Sequence, residues 1–205
     1  QAVVERDPTG EVCYWFARQV KDADTPSLQK TVMEKDPTGE SCYRFACNID
    51  EANVALLQQV VIDKDPTGEW CYLFAYTVTG ADVPLLQDAV IKKDPTGEWC
   101  YRFACEVTGA DVPLLQQAVI EKDTTGEWCY LFARDVKGAD LSALRREVIK
   151  KDKTGRLCAY FACYALGKND NSKEDLIAMT YLGHVVKDRE NFTDSEEPAA
   201  GEPTL

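Results

Sequence analysis

Residues 65–93 read DPTGEWCYLFAYTVTGADVPLLQDAVIKK, and this stretch returns along the chain every 29 residues. Asp-Pro-Thr-Gly-Glu begins at Asp7, Asp36, Asp65 and Asp94, while the copies at Asp123 and Asp152 read Asp-Thr-Thr-Gly-Glu and Asp-Lys-Thr-Gly-Arg. A fixed period of this length marks a repeat architecture, in which each unit buries an apolar face against the next. It also argues against an enzyme. A residue present in every unit serves stacking, whereas catalysis needs unlike groups converging at one place.

Inside the unit, Cys71, Phe74, Ala75 and Val78 fall at i, i+3, i+4 and i+7, the apolar stripe of one helix. Asp-Pro-Thr-Gly fits a type I turn, and it equally fits a helix start with Asp65 as the cap and Pro66 at the first helical position. Glu69 then sits near the positive end of the helix dipole, and Gly80 supplies a stop. Asp82 caps a second helix with Pro84 in its first turn. Leu86, Ala89 and Val90 face the core, and Lys92 and Lys93 lie at the negative end. Two helices of roughly 11–13 residues per unit are expected, too short to be stable alone and dependent on stacking.

The fold class that follows is all-α, an α-solenoid of about six 29-residue, two-helix units. Five helix-pair units occupy 7–35, 36–64, 65–93, 94–122 and 123–151. A departing unit, 152–189, has Arg156 where the others have Glu and Ala159 where they have Tyr. There Ser172-Lys173-Glu174-Asp175 resembles a capping box ahead of a helix to about Val186, so the unit is expected to cap the array. Residues 190–205 form an acidic tail carrying Glu190, Asp194, Glu196, Glu197 and Glu202 and no basic residue. Gln1–Arg6 matches Gln117–Lys122, so residues 1–6 are expected to be the end of a truncated preceding repeat. Such an under-covered end invites end-to-end self-association.

On these motifs the chain resembles the α-solenoid group that includes the HEAT and TPR repeats. The likeness is one of architecture, because the period is shorter than either and the TPR signature residues are absent. The consensus Cys-Tyr-x-Phe-Ala…Gly-Ala-Asp…Leu…Val-Ile is similar to repeats found in uncharacterised prokaryotic and phage proteins, over residues 1–165. The resemblance implies the fold and no activity.

The net charge of −12 repels nucleic-acid backbones and favours a basic protein or peptide partner. No apolar run approaches the roughly 20 residues of a membrane span, so no membrane partner is expected. Six of the nine Cys share one repeat position: Cys13, Cys42, Cys71, Cys100, Cys129 and Cys158. Cys47, Cys105 and Cys163 each lie five residues further on, which on a helix separates the pair by roughly 7.5 Å of rise and precludes a bridge. With no Cys-x-x-Cys and a single His, His184, no metal or other cofactor is expected. All nine read as buried core thiols in a reducing compartment, hence a cytoplasmic protein.

Function is sought where the repeat varies. Two positions after the recurring Cys stand Trp15, Arg44, Leu73, Arg102, Leu131 and Tyr160; three residues further stand Arg18, Cys47, Tyr76, Cys105, Arg134 and Cys163. Odd units pair an apolar residue with a bulky one, and even units mostly pair Arg with Cys. With Gln19, Asn48, Thr77, Glu106, Asp135 and Tyr164, these positions fall opposite the core stripe. Variation on one face over a constant core is how solenoids build a ligand surface. Trp15, Arg18, Arg44, Leu73, Tyr76, Arg102, Leu131 and Arg134 are therefore the candidate partner-binding residues of a non-enzymatic scaffold. The alternatives are an acidic nucleic-acid mimic occupying the DNA site of a basic protein, which the Arg residues on this face oppose, and a passive array. Trp70, Trp99 and Trp128 share another position, and packing between neighbouring units is their favoured role.

Overall fold

The computed structural model describes residues 7–167, with side chains as far as Phe161. Residues 1–6, the capping helix, His184 and the acidic tail lie outside the described residues. The described chain is helical throughout and contains no strand. Its helices are α1 (Glu11–Gln19), α2 (Thr25–Lys35), α3 (Glu40–Asn48), α4 (Val54–Lys64), α5 (Glu69–Thr77), α6 (Val83–Lys93), α7 (Glu98–Glu106), α8 (Val112–Lys122), α9 (Glu127–Asp135), α10 (Leu141–Lys151) and α11 (Arg156–Gly167). Each of the five units from 7 to 151 contributes two and α11 opens the next, so the described chain is an α-helical repeat array. No described helix is long and apolar enough to cross a membrane.

The second helix of each complete unit has 11 residues, as the pattern predicts, but the first has only 9. The reason lies in Asp-Pro-Thr-Gly. It forms a turn ahead of the helix, so Pro66 is not its first residue and Asp65 does not occupy the cap position. Asp65 instead caps from a distance: Oδ1 accepts the Thr67 and Gly68 amides and Oδ2 accepts the Cys71 amide, each at 2.9 Å. The same pattern recurs at Asp7, Asp36, Asp94 and Asp152. The turn needs Gly68 for two reasons. Its φ of 89° is left-handed, and a Cβ there would stand 3.3 Å from the Val90 Cα. The second helices are capped as expected; Asp82 accepts the Leu85 amide at 3.1 Å.

Each unit is closed on itself. The last residue, Lys93, donates to the carbonyl of the first, Asp65, at 2.6 Å, and Lys122 does the same to Asp94. Lys35 donates likewise to Asp7 at 2.7 Å, and Lys64 also donates to the Asp36 carbonyl.

The described residues divide into two compact bodies, 7–123 with 135–139, and 124–134 with 140–167. In the first, α1, α3, α5 and α7 pack side by side, each second helix packs on the first helix of its own unit, and α2, α4 and α6 also pack on the first helix of the next unit. Phe45, Phe74, Phe103, Leu57, Leu86 and Leu115 lie in a core from which water is fully excluded. Phe132, Phe161 and Leu144 repeat that arrangement in the second body. Phe16, the equivalent of these Phe residues in the first unit, is 48% exposed, while Cys13 beside it is buried.

Six cysteines meet the expectation of burial: Cys13, Cys42, Cys71, Cys100, Cys129 and Cys158. Burial pushes the thiols of Cys42, Cys71 and Cys100 well above the usual range, with the neighbouring Asp carboxylate adding to the effect; Cys158 is raised to about 12. Cys47 and Cys105 overturn the core reading, because both are exposed. Five residues past a core position is about 500° of helical rotation, which carries the side chain towards the opposite face.

Candidate functional site

The face that varies is carried by the first helix of each unit, because the other side of that helix is fixed by Cys and Phe. Neighbouring units meet along it through Tyr. Tyr72 donates to the Glu106 carboxylate of the next unit. Tyr101 donates to Asp135 at 2.6 Å, and Thr77 donates to the Tyr43 hydroxyl at 3.3 Å. Burial, then the bonded carboxylate, pushes the Tyr72 and Tyr101 phenols above their ordinary range. The positions of Thr77, Glu106 and Asp135, counted above as part of the variable face, thus take the Tyr of the preceding unit as a partner.

The Trp position works in the same direction. Trp70 lies 5.7 Å from the Tyr43 ring, and Trp99 lies 5.8 Å from the Tyr72 ring in a stacked arrangement, so both join neighbouring units. At Ser41 and Leu157, two of the positions that lack the Trp, a cleft opens. One cleft, at Ser41, has a volume of about 250 Å3; the other, at Leu157 in the second body, has about 660 Å3.

The candidate residues fall into several local settings. Arg44 is held between Glu40 of its own helix and Glu11 of the preceding unit, 3.7 Å away. Arg102 bonds Glu98 at 3.0 Å and lies over the Trp99 ring. Arg18 covers Trp15 and donates to the Tyr14 hydroxyl at 3.0 Å. Arg134 covers Tyr130. Tyr76 is 52% exposed and stacks on Tyr72 with its outer face open to solvent. Leu73 and Leu131 are half-buried. In the first body, Trp15, Arg18, Arg44, Leu73, Tyr76 and Arg102 are therefore carried by one row of packed helices. In the second, Leu131 and Arg134 share α9.

Sequence reading missed two features. Gln29, Gln58 and Gln87 are buried, and each accepts, at 2.8 Å, the amide of the residue that caps the second helix of the following unit: Asn53, Asp82 and Asp111. A polar residue recurring beside the core Leu was the available signal. The second is a column of exposed Leu56, Leu85 and Leu114 on the second helices, which their 29-residue spacing also announces. The described residues contain no cluster of His, Cys, Asp or Glu able to hold a metal ion.

Comparison with protein-family models, with curated proteins and with solved structures returns no match.

Proposed function

We propose that the chain is a non-enzymatic scaffold that binds a protein or peptide along the row of first helices. One observation carries this reading: a repeated core and turn hold constant while Trp15, Arg44, Leu73, Arg102 and Leu131 succeed one another at a single position of the facing surface. Arg and aromatic side chains are the types that dominate binding energy at interfaces, and here they stand half-buried or exposed on rigid elements. The architectural likeness to HEAT and TPR arrays, and the similarity to prokaryotic and phage repeats, belong to this reading, as does a reducing, cytoplasmic setting for the buried thiols. The acidic-mimic alternative needs carboxylates displayed along the face. Glu40 and Glu98 instead bond Arg44 and Arg102, which leaves less uncompensated negative charge for a basic protein to read.

The test is affinity capture on immobilised protein with mass-spectrometric identification. Native protein is compared with a face variant carrying Trp15→Ala, Arg18→Ala, Tyr76→Ala and Arg102→Ala. A control carries Leu56→Ala, Leu85→Ala and Leu114→Ala on the second helices. A partner retained by the native protein and the control, and lost from the face variant, supports the proposal. Retention by the face variant refutes it.

A further inference from the structure

The larger cleft is a repeat interface that lacks its plug. In the first body, the groove at the corresponding place is occupied by an indole: Trp70 on Tyr43, Trp99 on Tyr72. A Glu precedes each Trp in the sequence, Glu69 and Glu98. In the second body both residues change together. Leu157 stands at the Trp position and Arg156 at the Glu position, and Lys153 replaces the Pro of the turn. The shorter side chain leaves about 660 Å3 open beside Tyr130, Leu131 and Tyr160, a volume in the range that holds a ligand of a few side chains.

The charge of the cleft shifts towards positive as well, since Arg156 stands at a Glu position and Lys153 at a Pro position. Asp152 lines it, but its oxygens already accept the Thr154, Gly155 and Cys158 amides at 2.9 to 3.0 Å. Glu127 is the other acid in the wall, against Lys153 and Arg156, while Lys151 pairs with Glu147 at 3.4 Å. The Arg156 guanidinium donates to the Tyr160 hydroxyl at 3.0 Å and lies over that ring, so the cation is placed at the rim beside an aromatic wall. The smaller cleft at Ser41 has no such character, because its Arg44 is taken by Glu11 and Glu40.

We infer that this cleft binds an acidic peptide segment of another protein by one aromatic side chain. The ring takes the place that Trp70 and Trp99 fill elsewhere, against Tyr130, and flanking carboxylates meet Lys153 and Arg156. The complement of a groove that has lost an indole and exchanged a carboxylate for a guanidinium is an indole or phenol beside carboxylates. The inference rests on the peptide-binding reading and narrows it to one place, where Lys153 and Arg156 select an acidic segment in spite of the basic partner that the overall charge of −12 favours.

The test is fluorescence anisotropy of the full chain with a labelled peptide Asp-Glu-Trp-Glu-Asp, and with a second peptide in which Trp is Ala. Saturable binding of the Trp peptide is expected, at least about tenfold tighter than the Ala peptide and weakened by salt within the screening range of exposed charges. Leu157→Trp should abolish binding by filling the groove, and it should raise the melting temperature as the restored plug packs. The pair Lys153→Pro and Arg156→Glu, which installs residues the other units already carry, should abolish binding without unfolding. Binding that survives Leu157→Trp, or equal affinity for the two peptides, overturns the inference. The chain's own segment 190–197 also holds Phe192 among acids. If Phe192→Ala raises the affinity tenfold or more, the occupant is that segment and the inference of a foreign peptide fails. If capture on the first-helix face succeeds while this peptide does not bind, the inference falls and the scaffold reading stands.

Discussion

Asp65 holds three amides with one carboxylate while itself only 1% exposed, so its removal leaves the buried Gly68 and Cys71 amides without an acceptor. Asp82 satisfies one exposed amide at an ordinary cap. Asp65→Ala should therefore cost about 3 kcal/mol and Asp82→Ala about 1 kcal/mol, measured by chemical denaturation. Equal costs would mean that Asp65 is an ordinary cap. The turn residues were legible in the sequence, but their arrangement was not. Asp-Pro-Thr-Gly satisfies the template of a turn and that of a helix start. The left-handed Gly68 seated on the Val90 backbone selects the turn, and that contact joins residues too far apart for a local pattern to reveal. Cys47 and Cys105 failed for a simpler reason. The residue type suggested burial, while their angular position on the helix already pointed outward.

Between elements, the buried Gln residues set the spacing of the second helices. Gln87 reaches from α6 to the Asp111 amide at the start of α8, and replacing it by Leu removes the acceptor while keeping the volume. Gln87→Leu should cost about 1–2 kcal/mol, and hydrogen exchange at the Asp111 amide should speed up while that at the Leu115 amide, bonded within its own helix turn, changes less. Unchanged exchange at Asp111 would show that the bond does not hold the two units. The presence of two helices per unit was legible, since stripes at a period of 3.6 residues repeat along the chain, while the start of the first helix was not. The candidate face was legible in part. Alternation identified the positions of Arg44, Leu73 and Arg102, but it could not reveal that Thr77, Glu106 and Asp135 are tied to the Tyr of the unit before. Those pairs are 34 residues apart, one period plus five, and no single-helix pattern contains them.

Across the whole molecule, the repeated thiols make stability a function of pH on the alkaline side. Burial raises the folded pKa of Cys42, Cys71, Cys100 and Cys158, the last to about 12, while an unfolded thiol ionises near 9. As the pH climbs, the unfolded chain loses these protons first. The stabilisation is complete below pH 9 and is lost progressively as the pH approaches about 12. The denaturation midpoint should be flat from about pH 7 to 8.5 and then fall with each step in pH; a midpoint unchanged at about pH 10.5 would place the thiols in contact with water. The bond from Lys93 to Asp65 has a different kind of consequence, one for inheritance. It brings the two ends of a unit together, and every boundary between complete units joins a Lys to an Asp. An in-frame copying error that removes or doubles one 29-residue cassette therefore recreates the same junction and leaves no loose end. The length of such an array can change in a single genetic step, without waiting for new residues to heal the seam.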